Sequence, residues 1–310
     1  MSRPPVDLPR ALRSATERGS PLLLDGGLSN QLEAQGADLR DELWSARLLA
    51  EDPDQLERAH AAYVAAGAEV LITSSYQASF EGFARRGLDA PTSARLLRHS
   101  VELARRAAGD RPVWVAASVG PYGAVLADGS EYRGRYGLDR DRLAAFHRPR
   151  VAALVEADPD VLALETVPDV VEAEALLEVV ADHRVPVWLS YTVADGRTRA
   201  GQPLREAFAL VRGHPRVAAV GVNCCAAEEV LPAVRLAAEV TGLPVVAYPN
   251  SGERWDAGRH RWSGGAHFPV PELEAWYAAG ARLVGGCCRV GPDQIAALAA
   301  VRDRGRPKTG

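Results

Sequence analysis

All four cysteines of the chain fall in two doublets, Cys224-Cys225 and Cys287-Cys288, so sulfur chemistry is the first thing the residues offer. Clustered thiolates are metal ligands. Zinc takes sulfur at about 2.3 Å in a tetrahedron, and a catalytic site supplies three protein ligands while leaving the fourth position to water or substrate. Three sulfurs drawn from two loops satisfy that description, and the doublets lack the Cys-x2-Cys spacing of closed structural zinc sites. Two other readings compete: cysteine as a small buried apolar side chain, and a redox or nucleophilic thiol. No histidine adjoins either doublet to act as a base, and neither a His-x-His pair nor a His-Glu-x-x-His motif is present. A thiolate-only set makes a metal electron-rich, a poor activator of water and a good holder of another thiolate.

The elements that must position these sulfurs are short apolar, β-branched runs at 21–27, 69–75, 112–120, 160–167, 186–193, 217–225, 244–251 and 281–289. Each reads as a strand buried on both faces, and helix-patterned segments such as 53–66, 93–108, 143–157, 170–182, 226–241 and 271–279 separate them. Eight strand and helix repeats without a linker predict a single-domain (β/α)8 TIM barrel, with a doubly wound open sheet as the alternative. A barrel gathers its site from the loops after its strands. Polar residues cluster there: Asp25-Gly26-Gly27, Thr73 to Tyr76, Ser118 to Pro121, Glu165-Thr166, Asn223 to Cys225, Tyr248 to Ser251 and Gly286 to Arg289. Strands six and eight are one apart around the barrel, so both cysteine doublets open onto one mouth. The long connections 121–141 and 252–268 are candidate lids. The expected division is an N-terminal extension over 1–20, the barrel over 21–302 and a disordered tail over 303–310.

Composition narrows the function classes. The 310 residues include one lysine, Lys308, so no buried amine is available for Schiff-base, pyridoxal-phosphate or P-loop chemistry. A net charge of −4 gives nucleic acid and anionic lipid no field to recognise, and no apolar run reaches the roughly 20 residues that cross a bilayer. The first 20 residues, broken by Pro4, Pro5 and Pro9, lack the apolar stretch of a signal peptide. A cytoplasmic address is expected, where the cysteines stay reduced and serve as ligands rather than as disulfides.

The chain resembles the homocysteine S-methyltransferases, zinc barrels that include S-methylmethionine-dependent and betaine-dependent enzymes. The likeness runs from about residue 21 to 300 through Asp25-Gly26-Gly27, Leu43 to Ala46, Thr73 to Ser79, Ser118 to Ala124, Gly129 to Tyr132, Glu165-Thr166, Gly221 to Cys224, Tyr248 to Glu253 and Gly285 to Arg289. The GSEY and YPNSGE segments are most similar to the S-methylmethionine branch. By resemblance, Cys224, Cys287 and Cys288 are the zinc ligands, and Cys225, where the family has another small residue, is read as packing. The resemblance implies homocysteine as the acceptor and a sulfonium as the methyl donor. It brings the homocysteine ammonium near Asp25 and Glu165, with Gly26 and Gly27 letting backbone approach the amino acid. Trp44 and Tyr76 are candidates for the ring faces that receive the cationic donor, because a ring quadrupole attracts a cation within roughly 6 Å. Thr73 and Asn223 hydrogen-bond the substrate carboxylate, orient ligands, or simply satisfy loop backbone. Two rival functions remain at this stage: a barrel that only stores or is braced by zinc, with Cys225 as fourth ligand, and a metal-independent hydrolase or lyase using Asp25 and Glu165.

Overall fold

The structure is a computed structural model and describes residues 7–39, 45–256, 261–263, 265 and 268–304. Eight strands, one inside each expected run, form one parallel sheet: β1 (Leu22–Leu23), β2 (Val70–Ile72), β3 (Trp114–Val119), β4 (Val161–Val167), β5 (Val187–Tyr191), β6 (Val217–Asn223), β7 (Val245–Tyr248) and β8 (Ala281–Val284). Neighbours run β1-β8-β7-β6-β5-β4-β3-β2. The ends close through a parallel bridge between Leu24 and Val70, where the Asp25 N–H donates to the Val70 carbonyl at 3.1 Å and the Glu69 N–H to that of Leu23 at 2.8 Å. Every residue of β3, β4 and β5 is buried, as strands covered on both faces require. The (β/α)8 barrel is the fold.

Thirteen helices surround or cap the sheet among the described residues: α1 (Leu8–Arg18), α2 (Leu28–Ala34), α3 (Ser45–Glu51), α4 (Pro53–Ala65), α5 (Phe80–Ala84), α6 (Ala90–Ala108), α7 (Tyr122–Leu126), α8 (Arg140–Glu156), α9 (Val170–Ala181), α10 (Leu204–Ala209), α11 (Val230–Thr241), α12 (Leu273–Ala279) and α13 (Pro292–Arg304). Aspartates start five of them. The carboxylates of Asp7, Asp52, Asp89, Asp139 and Asp169 accept the otherwise orphan N–H groups of the first turns of α1, α4, α6, α8 and α9. Among the described residues, no helix is long and apolar enough to cross a membrane.

The hydrophobic core has two parts. A large cluster lies between strands and outer helices, and a smaller one fills the barrel lumen with Leu22, Leu24, Val70, Trp114, Trp188, Val246, Tyr248 and Leu283. Leu8, Ala11, Leu12 and Ala15 of α1 belong to the lumen cluster, so the segment ahead of the first strand is a plug under the barrel. The connection expected as a loop over 121–141 is folded: α7 is followed by a 3-10 turn at Ser130–Tyr132, and α8 begins at Arg140. In the connection over 252–268, Arg254–Asp256 pairs antiparallel with Arg261–Ser263. Helix α13 runs through Arg304, two residues into the expected tail, and 305–310 lie outside the described residues.

Leu12 is fully buried in the plug. Leu12→Ala should lower unfolding free energy by about 2–5 kcal/mol, read by urea titration, because a cavity opens where the lumen has no spare side chain to fill it.

Candidate active site

The sulfurs of Cys224, Cys287 and Cys288 lie within 4.8 Å of one another at the C-terminal mouth. Cys225 is outside this group: it packs in the outer core, and burial pushes its thiol up to about 12. The turn after β7 holds the two doublets together. The Cys224 N–H donates to the Tyr248 carbonyl at 3.2 Å and the Asn250 N–H to that of Cys225 at 3.0 Å. On the other side, the Cys287 N–H donates to the Pro249 carbonyl at 2.8 Å, the Ser251 N–H to that of Cys288 at 3.0 Å, and the Cys288 N–H to Asn250 Oδ1 at 3.2 Å. The expectation of reduced cysteines is corrected for one pair. Cys224 and Cys287 are joined as a disulfide, their Cα atoms 5.5 Å apart because this turn draws β6 and β8 to one point. Cys225 and Cys288 are free.

Gly26 and Gly27 admit neighbouring backbone of the chain itself. A side chain at Gly26 would meet the Val290 carbonyl at 2.3 Å, and one at Gly27 the Cys287 carbonyl at 2.6 Å. They are glycines because the cysteine loop after β8 lies against the end of β1.

Asp25 is buried; its Oδ2 accepts the Ile72 N–H at 2.9 Å, while Oδ1 has no partner among the described residues. Burial pushes its carboxyl well above the ordinary range against the pull of the Ile72 amide, and the charge of Glu165 adds to the rise. Glu165 accepts from the Ser118 hydroxyl at Oε1 and from the Tyr248 hydroxyl at Oε2, the latter at 2.9 Å. Burial pushes it up to about 7 in spite of both bonds. Tyr248 is itself held, accepting from Trp188 Nε1 at 3.2 Å and lying 2.9 Å from the Ser190 hydroxyl.

Thr73 and Asn223, expected among the substrate contacts, are occupied within the chain. Thr73 Oγ1 accepts the Ser118 N–H at 3.0 Å and lies 2.7 Å from Ser75 Oγ. Asn223 Oδ1 accepts the Thr166 N–H at 2.7 Å and the Ser190 hydroxyl at 2.8 Å, and its Nδ2 donates to Thr166 Oγ1 at 2.7 Å. This clamp holds Thr166 in left-handed backbone at φ 59°, a costly conformation for a β-branched residue. Cys224, the next residue along β6, is also left-handed at φ 47°. Tyr76 is half-buried, its ring edge against Gly120. Trp44 lies outside the described residues.

Sequence reasoning missed Arg150 on α8. Fully buried, it donates to the carbonyls of Gly120, Ser75 and Tyr76 and so ties the turns after β2 and β3. It also missed the roles of Tyr248, Trp188 and Asn250, although Tyr248 and Asn250 stood inside a quoted motif.

A (β/α)8 barrel that converges three cysteine sulfurs and two buried carboxylates on its C-terminal mouth is built as an enzyme of thiol chemistry. Comparison with known proteins agrees. The sequence profile described as homocysteine S-methyltransferase matches residues 22–302. The homocysteine S-methyltransferase of Escherichia coli K12 is 47% identical over 302 residues, covering 93% of this chain and 97% of that protein. Crystal structures of the Escherichia coli homocysteine methyltransferase MmuM are also similar. The metallated form is 45% identical with a TM-score of 0.84, and the oxidized form 46% identical with a TM-score of 0.85, each covering 94% of this chain and 99% of its own. The chain belongs to the homocysteine S-methyltransferase family and is a methyltransferase.

Asn223→Ala leaves the buried Thr166 N–H without its acceptor, so stability should fall by about 1–3 kcal/mol in denaturant unfolding. An unchanged midpoint would remove Asn223 from its clamping role.

Proposed function

We propose that the chain transfers a methyl group from a sulfonium, with S-methylmethionine as first choice and S-adenosylmethionine as second, to homocysteine, giving methionine with zinc held by Cys224, Cys287 and Cys288. The observation that carries this reading is the three-sulfur cluster at the mouth of a barrel whose family acts on a thiol. The donor set fits zinc: three soft ligands from two loops leave a fourth position open, and Cys224 and Cys287 join the set once their disulfide is reduced. Zinc, when bound, supplies a Lewis acid that keeps a coordinated thiol as its thiolate at neutral pH. The need for reduced thiols suits a cytoplasmic enzyme.

The chain's own residues bind and orient. The free Oδ1 of Asp25 and the carboxylate of Glu165 are suited to an amino-acid ammonium, since charge-assisted hydrogen bonds are about twice as strong as neutral ones. Ser118 and Tyr248 keep the Glu165 carboxylate aimed. Tyr76 presents a fixed ring toward the donor. In the transfer, the acceptor thiol loses its proton to solvent and its sulfur bonds the methyl carbon. The bond from that carbon to the donor sulfur breaks with its electron pair staying on the donor, which leaves as a neutral thioether. No general acid is required, in keeping with a site whose fixed groups are carboxylates and hydroxyls. Charge disappears along this path, so alignment in a dry cavity carries the rate.

The decisive experiment measures bound zinc in reduced protein and follows methionine formation from homocysteine and S-methylmethionine before and after chelation. One zinc per chain is expected, with activity lost on chelation and in Cys288→Ala. Cys225→Ala should keep both zinc and activity; loss of zinc there would favour a four-sulfur structural site. Full activity after chelation would favour the metal-independent reading.

A pH profile gives a second test. Glu165 must be ionised to pair with the ammonium, and it titrates at about 7, so kcat/KM for homocysteine should rise with pH through that value. In Glu165→Gln this limb should vanish, with KM raised about 10-fold or more. An identical limb in the variant would remove Glu165 from acceptor binding.

A further inference from the structure

Two buried hydroxyls and the backbone of one residue close a ring whose hydrogen-bond direction is fixed. The Ser118 N–H donates to Thr73 Oγ1 at 3.0 Å, and the Ser75 hydroxyl donates to the Ser118 carbonyl at 2.7 Å. A hydroxyl has one proton to give, so in the 2.7 Å contact between Thr73 Oγ1 and Ser75 Oγ the donor is Thr73. The N–H and the carbonyl of Ser118 are thereby both bonded to side chains of the turn after β2, and all three residues are buried.

Arg150 grips this ring from α8. Its Nη1 donates to the Gly120 carbonyl at 2.9 Å, and its Nη2 to the carbonyls of Ser75 at 3.3 Å and Tyr76 at 2.9 Å, so one guanidinium spans the ring and the chain two residues past Ser118. Burial pulls that guanidinium down to about 10, which leaves it charged at neutral pH, and bonds from a charged donor are the stronger kind. Cohesion of the two strands does not call for these groups. Ile72 of β2 already pairs with Ala116 of β3, and replacing a buried hydrogen-bonded pair by apolar groups of the same shape costs little stability. What the ring does fix is the Ser118 backbone, whose side-chain hydroxyl donates to Glu165 Oε1. Tyr248 binds Oε2 of the same carboxylate, and each oxygen keeps a lone pair for a further donor.

We infer that Thr73, Ser75 and Arg150 are positioning residues for the acceptor: through Ser118 they aim the Glu165 carboxylate at the α-ammonium of homocysteine. The inference rests on the functional reading above for the identity of the acceptor. Thr73 then serves the substrate without touching it, which separates it from a residue that binds the substrate carboxylate directly. A hydrogen bond weakens steeply as its angle departs from linear, so a carboxylate turned by the loss of one anchor binds an ammonium less well. The thiol and carboxylate of the acceptor gain nothing from this device.

The test is Thr73→Val, which keeps shape and opens the ring. With reduced, zinc-loaded protein, Kd is measured by calorimetry for homocysteine and for 4-mercaptobutanoate, the same molecule without its amino group, and KM is measured for homocysteine and S-methylmethionine. The expected result is a rise of about 5-fold or more in homocysteine Kd and KM, with 4-mercaptobutanoate Kd and S-methylmethionine KM within about 2-fold of wild type. In a Ser118→Ala background the same substitution should add less than about 2-fold, because the route to Glu165 is already cut. Arg150→Lys, which keeps the charge and loses the fork, should show the same selectivity for the ammonium, so the outcome does not hang on one variant folding. Equal losses for homocysteine and 4-mercaptobutanoate, or effects of Thr73→Val and Ser118→Ala that simply multiply, would overturn the positioning role alone. Absence of methyl transfer to homocysteine by the wild type would overturn the functional reading and this inference with it.

Discussion

The three sulfurs meet because the turn after β7 is bonded on both sides. Backbone groups of residues 248–251 bind the Cys224-Cys225 segment on one flank and the Cys287-Cys288 segment on the other, and the Asn250 side chain adds a fifth tie through the Cys288 N–H. Two strand ends that parallel pairing leaves one strand apart become one cluster by this means. The two glycines after Asp25 let the same cysteine loop lie on the end of β1, so three neighbouring strand ends form a continuous rim.

Opposite the sulfurs, polar groups are buried in a chain of mutual obligation. Trp188 binds Tyr248, Tyr248 binds Glu165, and Asn223 binds both Ser190 and the Thr166 backbone. Such a network is favourable only when its members are satisfied, because each orphan in a low-dielectric interior costs more than a made bond returns. The unpartnered atoms therefore stand out. Asp25 Oδ1 and Glu131 Oε2 are both buried carboxylate oxygens without a hydrogen-bond partner among the described residues.

The barrel was legible in the sequence because parallel strands covered on both faces write themselves as unbroken apolar runs. The cysteines were legible because type, pairing and position at strand ends agreed. Residues whose task depends on two loops meeting were not. Arg150 is one arginine among many in helical sequence, and nothing local marks it as the donor to three carbonyls of two distant turns. Trp188 reads as ordinary strand packing until the lumen brings its N–H to Tyr248. Asn223 sat beside a cysteine and invited a substrate role, yet its amide is used up within the chain. The connection over 121–141 looked irregular because its helix and its 3-10 turn are too short to show a period.

Helix α1 presses Leu8 and Leu12 into the lower end of the lumen, and Trp188 and Tyr248 fill the space beneath the carboxylates. The reaction chamber is therefore a cul-de-sac. Among the described residues the lumen is filled beneath the carboxylates, so a molecule that reaches them comes and goes by the C-terminal mouth. Traffic in such a vessel is a queue: a molecule still in the mouth excludes the next arrival.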